Sequence, residues 1–232
     1  MNCTGSTVQR GNDHRHCCRR TFIPSIIMAF ASFLFVSCTN TPPGGDTFSN
    51  DSALVHIGDQ IWMARNFDGV IFMNGDSIPH AESVEEWVDA GESGKPAWCY
   101  YENDTRIGKE YGRIYNWYAV NDPRGFSPKG WHVPTNDEWI ILEDFLESSA
   151  TELKCKDGGS KNESGFCAVL GGYRGKEGGY SGIGEFTYLT SSTERDQNDN
   201  DIWGRGIHHN DSTMMRCGLY KGHGLYVRLI KD

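Results

Sequence analysis

The chain has 232 residues, a formal net charge of −9, 38% apolar residues and 28 glycines. This length suits one domain preceded by a leader, and the composition is typical of a loop-rich globular domain, which excludes a disordered chain. Residues 1–37 carry four arginines and one aspartate, a net charge of +3. Since the whole chain has a net charge of −9, residues 38–232 carry a net charge of −12. Because the domain is this acidic, we expect no nucleic-acid partner and no charge-driven binding to anionic membranes.

Residues 1–37 are predicted to be a lipoprotein signal peptide. Arg19 and Arg20 precede an uncharged apolar run that is shorter than the roughly 20 residues of a membrane-spanning helix. The run ends in Phe35-Val36-Ser37-Cys38, which is similar to the lipobox of bacterial lipoproteins, where a cysteine thiol takes the lipid. We therefore predict lipidation of Cys38. An ordinary cleaved signal and a twin-arginine signal are the alternatives.

Residues 38–50 are rich in Pro, Gly and polar residues, which predicts a flexible tether between the lipidated cysteine and the domain. The domain itself is predicted over residues 51–232. Near its start, Gly58-Asp59 separates two apolar runs and predicts a β-hairpin, and Asn74-Gly75 predicts a second tight turn.

The next segment is predicted to hold one short helix and one strand. Ser83-Val84-Glu85-Glu86 has the form of a capping box, and we expect the helix that follows to end at Gly91. The aromatic run Trp98 to Tyr101 is typical of a strand.

Residues 111–146 are predicted to form two amphipathic helices joined by a turn rich in Pro and Gly. The first is indicated by four apolar residues at helical spacing, Tyr111, Ile114, Trp117 and Tyr118. The second opens with a capping box of Thr135 and Glu138, and its apolar row is Trp139, Leu142 and Leu146. Such short helices need a partner to pack against, and the short strand-like runs elsewhere indicate an α+β domain.

The order of these motifs resembles one family. The segments GRIYNWYAV, GWHVPTNDEWIILEDFL, GFCAVLGGYRG and GLYVRLIKD follow one another as in the Fibrobacter succinogenes major paralogous domain, from about Leu54 to Asp232. That family is similar to the C-type-lectin-like and formylglycine-generating enzyme folds. The resemblance therefore implies an α+β, C-type-lectin-like fold with two short helices and small, mainly antiparallel, loop-rich sheets. A shared fold does not by itself imply an activity.

Four cysteines follow Cys38, namely Cys99, Cys155, Cys167 and Cys217. An even number in an exported domain predicts two disulfides, with three possible connectivities. Cys155 and Cys167 flank a Gly/Ser/Asn loop and form the natural local pair, which leaves Cys99 with Cys217. The resembling family often has a cysteine in the closing strand, where this chain has Leu229, and this puts the partner of Cys99 in question. Four unpaired buried thiols are the alternative.

The glycine-rich region after the second helix is predicted to present a ligand surface, because C-type-lectin-like folds use this region for recognition. Its glycines allow backbone shapes closed to other residues, and it also holds aromatic and arginine residues, which are enriched at binding hot spots. The candidate contacts are Tyr173, Arg174, Tyr180, Trp203 and Arg205. The alternative places Trp203 in the core and makes Tyr173 and Arg174 a packed pair in a strand.

No cofactor, metal or catalytic site is predicted. The run 196–201 has the oxygen ligands that calcium prefers, but it lacks the spacing of an EF-hand and is better explained as a solvated loop. His208 and His209 are adjacent in a predicted strand and point to opposite faces. The sequence shows no zinc motif, catalytic triad or phosphate-binding loop, and a formylglycine-generating enzyme requires a cysteine pair where only Cys217 lies.

The sequence therefore predicts an exported lipoprotein of the outer membrane or cell surface that acts as a non-catalytic binding module. Its expected ligands are saccharides or envelope proteins. A structural or self-associating surface protein is one alternative, and an enzyme related to formylglycine-generating enzymes is another.

Overall fold

The computed structural model describes residues 54–155, 163–196 and 200–232, so the predicted signal peptide, Cys38 and the predicted tether lie outside the described residues. The described part is an α+β domain of short elements. Its helices are α1 (Val84–Glu92), α2 (Thr105–Tyr111), α3 (Trp117–Val120) and α4 (Asn136–Phe145). Its strands are β1 (Leu54–Ile57), β2 (Gln60–Met63), β3 (Trp98–Cys99), β4 (Ile114–Tyr115), β5 (Trp131–His132), β6 (Gly171–Arg174), β7 (Tyr180–Ile183), β8 (Phe186–Glu194), β9 (Asp201–His208), β10 (Met215–Tyr220) and β11 (Ile230–Lys231).

These strands form three sheets with the orders β1-β2-β11-β5, β10-β9-β8-β6-β7 and β3-β4. The pairs are antiparallel except for β6 with β8. Strand β11 lies between β2 and β5, so the last strand of the domain joins the first hairpin to the segment before α4. This arrangement agrees with the predicted small, mainly antiparallel sheets.

Local turn and cap chemistry forms the predicted hairpin and the second predicted helix. Gly58 takes a φ of +57° in the two-residue turn between β1 and β2, a conformation that glycine adopts without strain. At the start of α4, the Thr135 hydroxyl accepts the Glu138 N–H at 3.2 Å, and the Glu138 carboxylate accepts the Thr135 N–H at 2.8 Å. Both predictions are confirmed. Helix α1 also forms, although it extends one residue beyond Gly91.

The prediction of the first of these two helices is wrong, because residues 111–118 divide among three elements. Helix α2 ends at Tyr111, where Gly112 takes a φ of +86°. Ile114–Tyr115 then pairs with β3 as a strand, and Asn116 caps α3 by accepting the Ala119 N–H at 3.0 Å. The four apolar residues that suggested one helix therefore belong to three separate elements, and their helical spacing does not reflect a shared helix face.

Helix α4 packs its apolar side between the two larger sheets. Trp139 is fully buried, with its ring centroid 4.8 Å from that of Trp62 in β2, and its indole N–H donates to the Thr190 carbonyl at 3.1 Å in β8. Phe166 packs edge-on against both tryptophans. One aromatic cluster therefore connects the helix to both sheets.

Arg228 is a fully buried cation whose hydrogen bonds join the end of β2 to two segments outside the strands. Its guanidinium donates to the carbonyls of Met63 at 2.9 Å and Phe166 at 2.6 Å, and to the Asn66 side-chain oxygen at 3.1 Å. No acidic side chain pairs with it within the described ranges. Burial lowers the pKa of Arg228 to about 9, so the side chain remains charged at neutral pH.

Candidate functional site

Four aromatic rings lie together on one side of the five-stranded sheet. Tyr173 in β6, Phe186 and Tyr188 in β8, and His208 in β9 come together across three adjacent strands, and we call this set the aromatic face. The Tyr188 centroid lies 5.3 Å from that of Tyr173 and 5.2 Å from that of Phe186. His208 stacks on Phe186 at 4.9 Å. All four side chains are half-buried, so each ring keeps a solvent-exposed part.

Strand register and a glycine produce this surface. Phe186 pairs with His208 and Tyr188 pairs with Gly206 across the β8–β9 ladder, and directly paired residues share one face of a sheet. A Cβ at Gly206 would lie 3.0 Å from the Tyr188 ring and 3.3 Å from the end of Met215. Glycine at this position therefore lets the Tyr188 ring lie over β9.

Burial favours the neutral forms of two side chains at the aromatic face, Tyr188 and His223. Burial raises the pKa of Tyr188, and the neighbouring Cys217 and Tyr173 raise it further. His223 packs against Tyr173 at 5.5 Å, and burial lowers the pKa of its imidazole. The ring atoms His208 Nε2 and His223 Nδ1 are covered and have no hydrogen-bond partner in the described part of the chain. The surface thus combines apolar ring area with a few polar groups.

The five sequence-predicted contacts do not lie together. Tyr173 belongs to the aromatic face. Tyr180 packs elsewhere, 5.1 Å from Tyr101 and beside Cys99, and burial raises the pKa of its phenol well above the usual range.

Arg174 is part of the scaffold. Its guanidinium is buried and donates to the carbonyls of Ala81 and Ser83, both at 2.9 Å, and to that of Gly178 at 3.1 Å. Since Ser83 caps α1, these bonds tie β6 to the start of that helix. The geometry does not support Arg174 as a ligand contact, because its donors are used internally.

Arg205 is also buried, while Trp203 is partly exposed. The Arg205 guanidinium forms an ion pair with Glu143 of α4 and contacts the Asn136 side chain at 3.3 Å. It therefore serves as an internal link between β9 and α4, and the structure gives no support for a ligand contact there. The centroid of the Trp203 ring lies 3.9 Å from the guanidinium carbon of Arg216 and 5.7 Å from that of Arg195.

The acidic run shows no converging ligand set in its described part. Asn198 and Asp199 lie outside the described residues, and Asp201 forms an ion pair with Arg195 at 3.3 Å. Within the described ranges, no three or more His, Cys, Asp or Glu side chains group as metal ligands would.

One of the two predicted disulfides is present. Cys155 and Cys167 are bonded, whereas Cys99 and Cys217 are separate free thiols. The predicted Cys99–Cys217 pair is therefore wrong. Cys99 is buried against Arg174 and Tyr180, and burial raises the pKa of its thiol. Cys217 lies in β10, where burial raises the pKa of its thiol to about 11.

Sequence reasoning missed Phe186, Tyr188 and His208. The signal was the alternation in Phe186-Thr187-Tyr188-Leu189, which places two aromatic rings on one face of a strand. The partner strand supplies glycines on that face, and the pairing that brings His208 beside Phe186 requires the register of β8 with β9.

Comparison with known proteins identifies the family. The family model described as the Fibrobacter succinogenes major domain matches residues 55–231. Comparison with curated proteins and with solved structures gave no significant match. None of the described helices is both long and apolar enough to cross a membrane. Because the family match covers well over half of the chain, the protein belongs to the Fibrobacter succinogenes major domain family.

Proposed function

We propose that this protein is a non-catalytic binding module of the cell envelope, exported and anchored in the outer membrane or at the cell surface by lipid on Cys38. We propose further that it holds a saccharide on the aromatic face. The observation that carries this proposal is the set of four half-exposed rings side by side on β6, β8 and β9.

The chemistry of this surface suits a sugar. The carbon-bound hydrogens of a pyranose ring pack on aromatic rings, while tyrosine hydroxyls hydrogen-bond to sugar hydroxyls. The four side chains of the aromatic face include no carboxylate, ammonium or guanidinium group. A neutral saccharide therefore matches the surface better than a strongly charged ligand does.

The assignment of the domain to the C-type-lectin-like fold is part of the same proposal. Short helices, small antiparallel sheets and glycine-rich connections after α4 support it. The aromatic face lies in this later part of the chain, which is the part that we predicted to bind the ligand.

A self-associating surface protein is the second candidate, favoured by one observation on α4. Ile141 and Phe145 are 54% and 60% exposed, and they are neighbours on the helix because they are four residues apart. Paired apolar side chains on a surface suit contact with another protein.

A glycan array followed by titration calorimetry tests the saccharide proposal. We expect Tyr188→Ala to weaken binding of a captured neutral glycan by about 2 kcal/mol, roughly 30-fold in Kd. Trp203→Ala is the matched control, since alternation places Trp203 on the other face of β9. Both variants are first checked for an unchanged thermal unfolding profile.

The proposal is wrong if the wild-type protein captures no glycan, or if Trp203→Ala weakens binding as much as Tyr188→Ala does. Concentration-dependent association that Ile141→Ser removes, with no glycan bound, would favour the second candidate.

A further inference from the structure

Strand β10 forms an open edge of the five-stranded sheet. It has six residues, whereas the other outer strands of the two larger sheets, β1, β5 and β7, have four, two and four. From Met215 to Leu219, no described backbone group other than those of β9 hydrogen-bonds to β10. A strand of this kind offers N–H and C=O groups along its free side to another extended segment.

The two faces of β10 differ in chemistry. Met215 and Cys217 point toward the aromatic face, and Met215 is 38% exposed beside Gly206. Arg216 and Gly218 point to the opposite side, where Trp203 lies. A strand added to this edge would therefore meet an apolar surface on one side and a cation on the other.

The Arg216 cation is held in place and has no ion-pair partner among the described residues. The Arg216 guanidinium stacks 3.9 Å from the Trp203 centroid and forms no ion pair with any described residue. The two nearby arginines are neutralised, Arg195 by Asp201 and Arg205 by Glu143. Stacking on an aromatic ring limits the motion of a guanidinium and does not use its N–H groups, and no described residue accepts a hydrogen bond from the Arg216 side chain.

We propose that β10 accepts an extended segment of another protein as an added strand, with acidic side chains toward Arg216 and apolar side chains toward Met215 and Cys217. This is a second surface, separate from the aromatic face and independent of whether a sugar binds there. Main-chain hydrogen bonds would provide affinity, and alternating side chains would provide specificity.

Charge argues against one other occupant of this edge, and backbone chemistry argues against a second. In a face-matched antiparallel pair of two β10 strands, both Arg216 side chains share one face, and β10 (MRCGLY) contains no acidic residue to separate them. The chain's own residues 39–50 contain Pro42 and Pro43, which lack the N–H groups that a ladder uses.

The test measures binding of short synthetic peptides to the full chain in detergent. The first peptide alternates Glu and Val, the second replaces Glu by Lys, and the third is the first with methylated backbone nitrogens. We expect only the Glu-Val peptide to bind and to slow hydrogen exchange of the β10 amides. Arg216→Glu should weaken that binding at least roughly tenfold, whereas Lys129→Glu, the same charge change at an exposed site outside β10, should not.

Equal binding of the methylated peptide would overturn the proposal, since it would show that no ladder forms. So would an affinity unchanged by Arg216→Glu, or no binding of the Glu-Val peptide. Protection of β10 that depends on protein concentration without peptide would assign the edge to a second copy of the chain instead.

Discussion

The Glu138 carboxylate that caps helix α4 also contacts His132, with 2.7 Å between Oε1 and the Nε2 atom of the imidazole. The Nδ1 atom of the same ring lies 2.7 Å from the Asp232 carboxylate. An imidazolium donates to both carboxylates at once, so this bridge between β5, α4 and the end of β11 is strongest when His132 is protonated.

The bridge predicts a pH window for stability. Burial opposes protonation of His132, but its hydrogen bonds to Asp232 and Glu138 outweigh burial and raise its pKa above 6.5. Burial likewise opposes ionisation of Glu138, yet bonds from Thr135 and His132 lower its pKa below 4.5. The His132 contribution is complete below pH 6.5 and is lost as pH rises through the folded pKa. The Glu138 contribution is complete above pH 4.5 and is lost as pH falls through the folded pKa.

We therefore expect the contribution of the bridge to be largest between about pH 4.5 and 6.5. Thermal unfolding followed across pH 4 to 8 measures it as the difference in Tm between wild type and His132→Gln. A difference that stays constant across this range would contradict the assignment of a charged bridge.

Replacement of Arg228 by Met is expected to destabilise the domain. The change keeps an unbranched apolar stem but leaves the Met63 and Phe166 carbonyls without their donor. We expect a loss of about 1–3 kcal/mol in the free energy of unfolding, measured by urea titration. Arg106→Met is the control, because its side chain is exposed on α2, and it should change stability by less than about 0.5 kcal/mol. A stabilised Arg228→Met variant would mean that the cost of burying the charge exceeds the value of its hydrogen bonds.

The Cys155–Cys167 disulfide closes a short loop, with a sequence separation of 12. In the chain-entropy model such a bond contributes about 3 kcal/mol, so Cys155→Ser with Cys167→Ser should lower the urea midpoint accordingly. Mass spectrometry after alkylation of the unfolded, unreduced protein should show label on Cys99 and Cys217 and none on this pair. Label on all four cysteines would contradict the bond.

Lipidation of Cys38 is expected to determine whether the protein enters the detergent phase or the aqueous phase in a phase-separation assay. The wild-type chain expressed in a bacterial host that lipidates exported proteins should incorporate a fatty-acid probe and enter the detergent phase, since two or more acyl chains give stable anchoring. Cys38→Ala should do neither. An unlabelled wild-type protein in the aqueous phase would contradict the anchor.

Local chemistry made part of the fold predictable from sequence. The Thr135–Glu138 cap and the Gly58-Asp59 turn each depend on residues within four positions of one another, so their patterns identify them directly. The prediction for residues 111–118 was wrong for the opposite reason. Their apolar residues have helical spacing, but Gly112 and the pairing of β4 with β3 divide the segment. Pairing with a strand more than ten residues away leaves no local pattern in the sequence.

The candidate site shows the same division. Arg174 and Arg205 have the residue type of hot spots, yet carbonyls and a carboxylate far away in sequence occupy them. Only the three-dimensional packing reveals this. Tyr188 could have been identified from the alternation in β8, whereas its contact with Tyr173 depends on β6 lying beside β8.

The position of β11 between β2 and β5 has a kinetic consequence. Arg228, just before β11, bonds to a carbonyl 165 positions away in sequence, so the first hairpin has no complete partner until the last strand has been synthesised. Domains dominated by such distant pairings fold slowly, on the order of milliseconds to seconds. A nascent chain of this protein should therefore remain protease-sensitive until residues 225–232 have left the ribosome. Pulse proteolysis of ribosome-bound chains of increasing length would reveal the point at which protection begins.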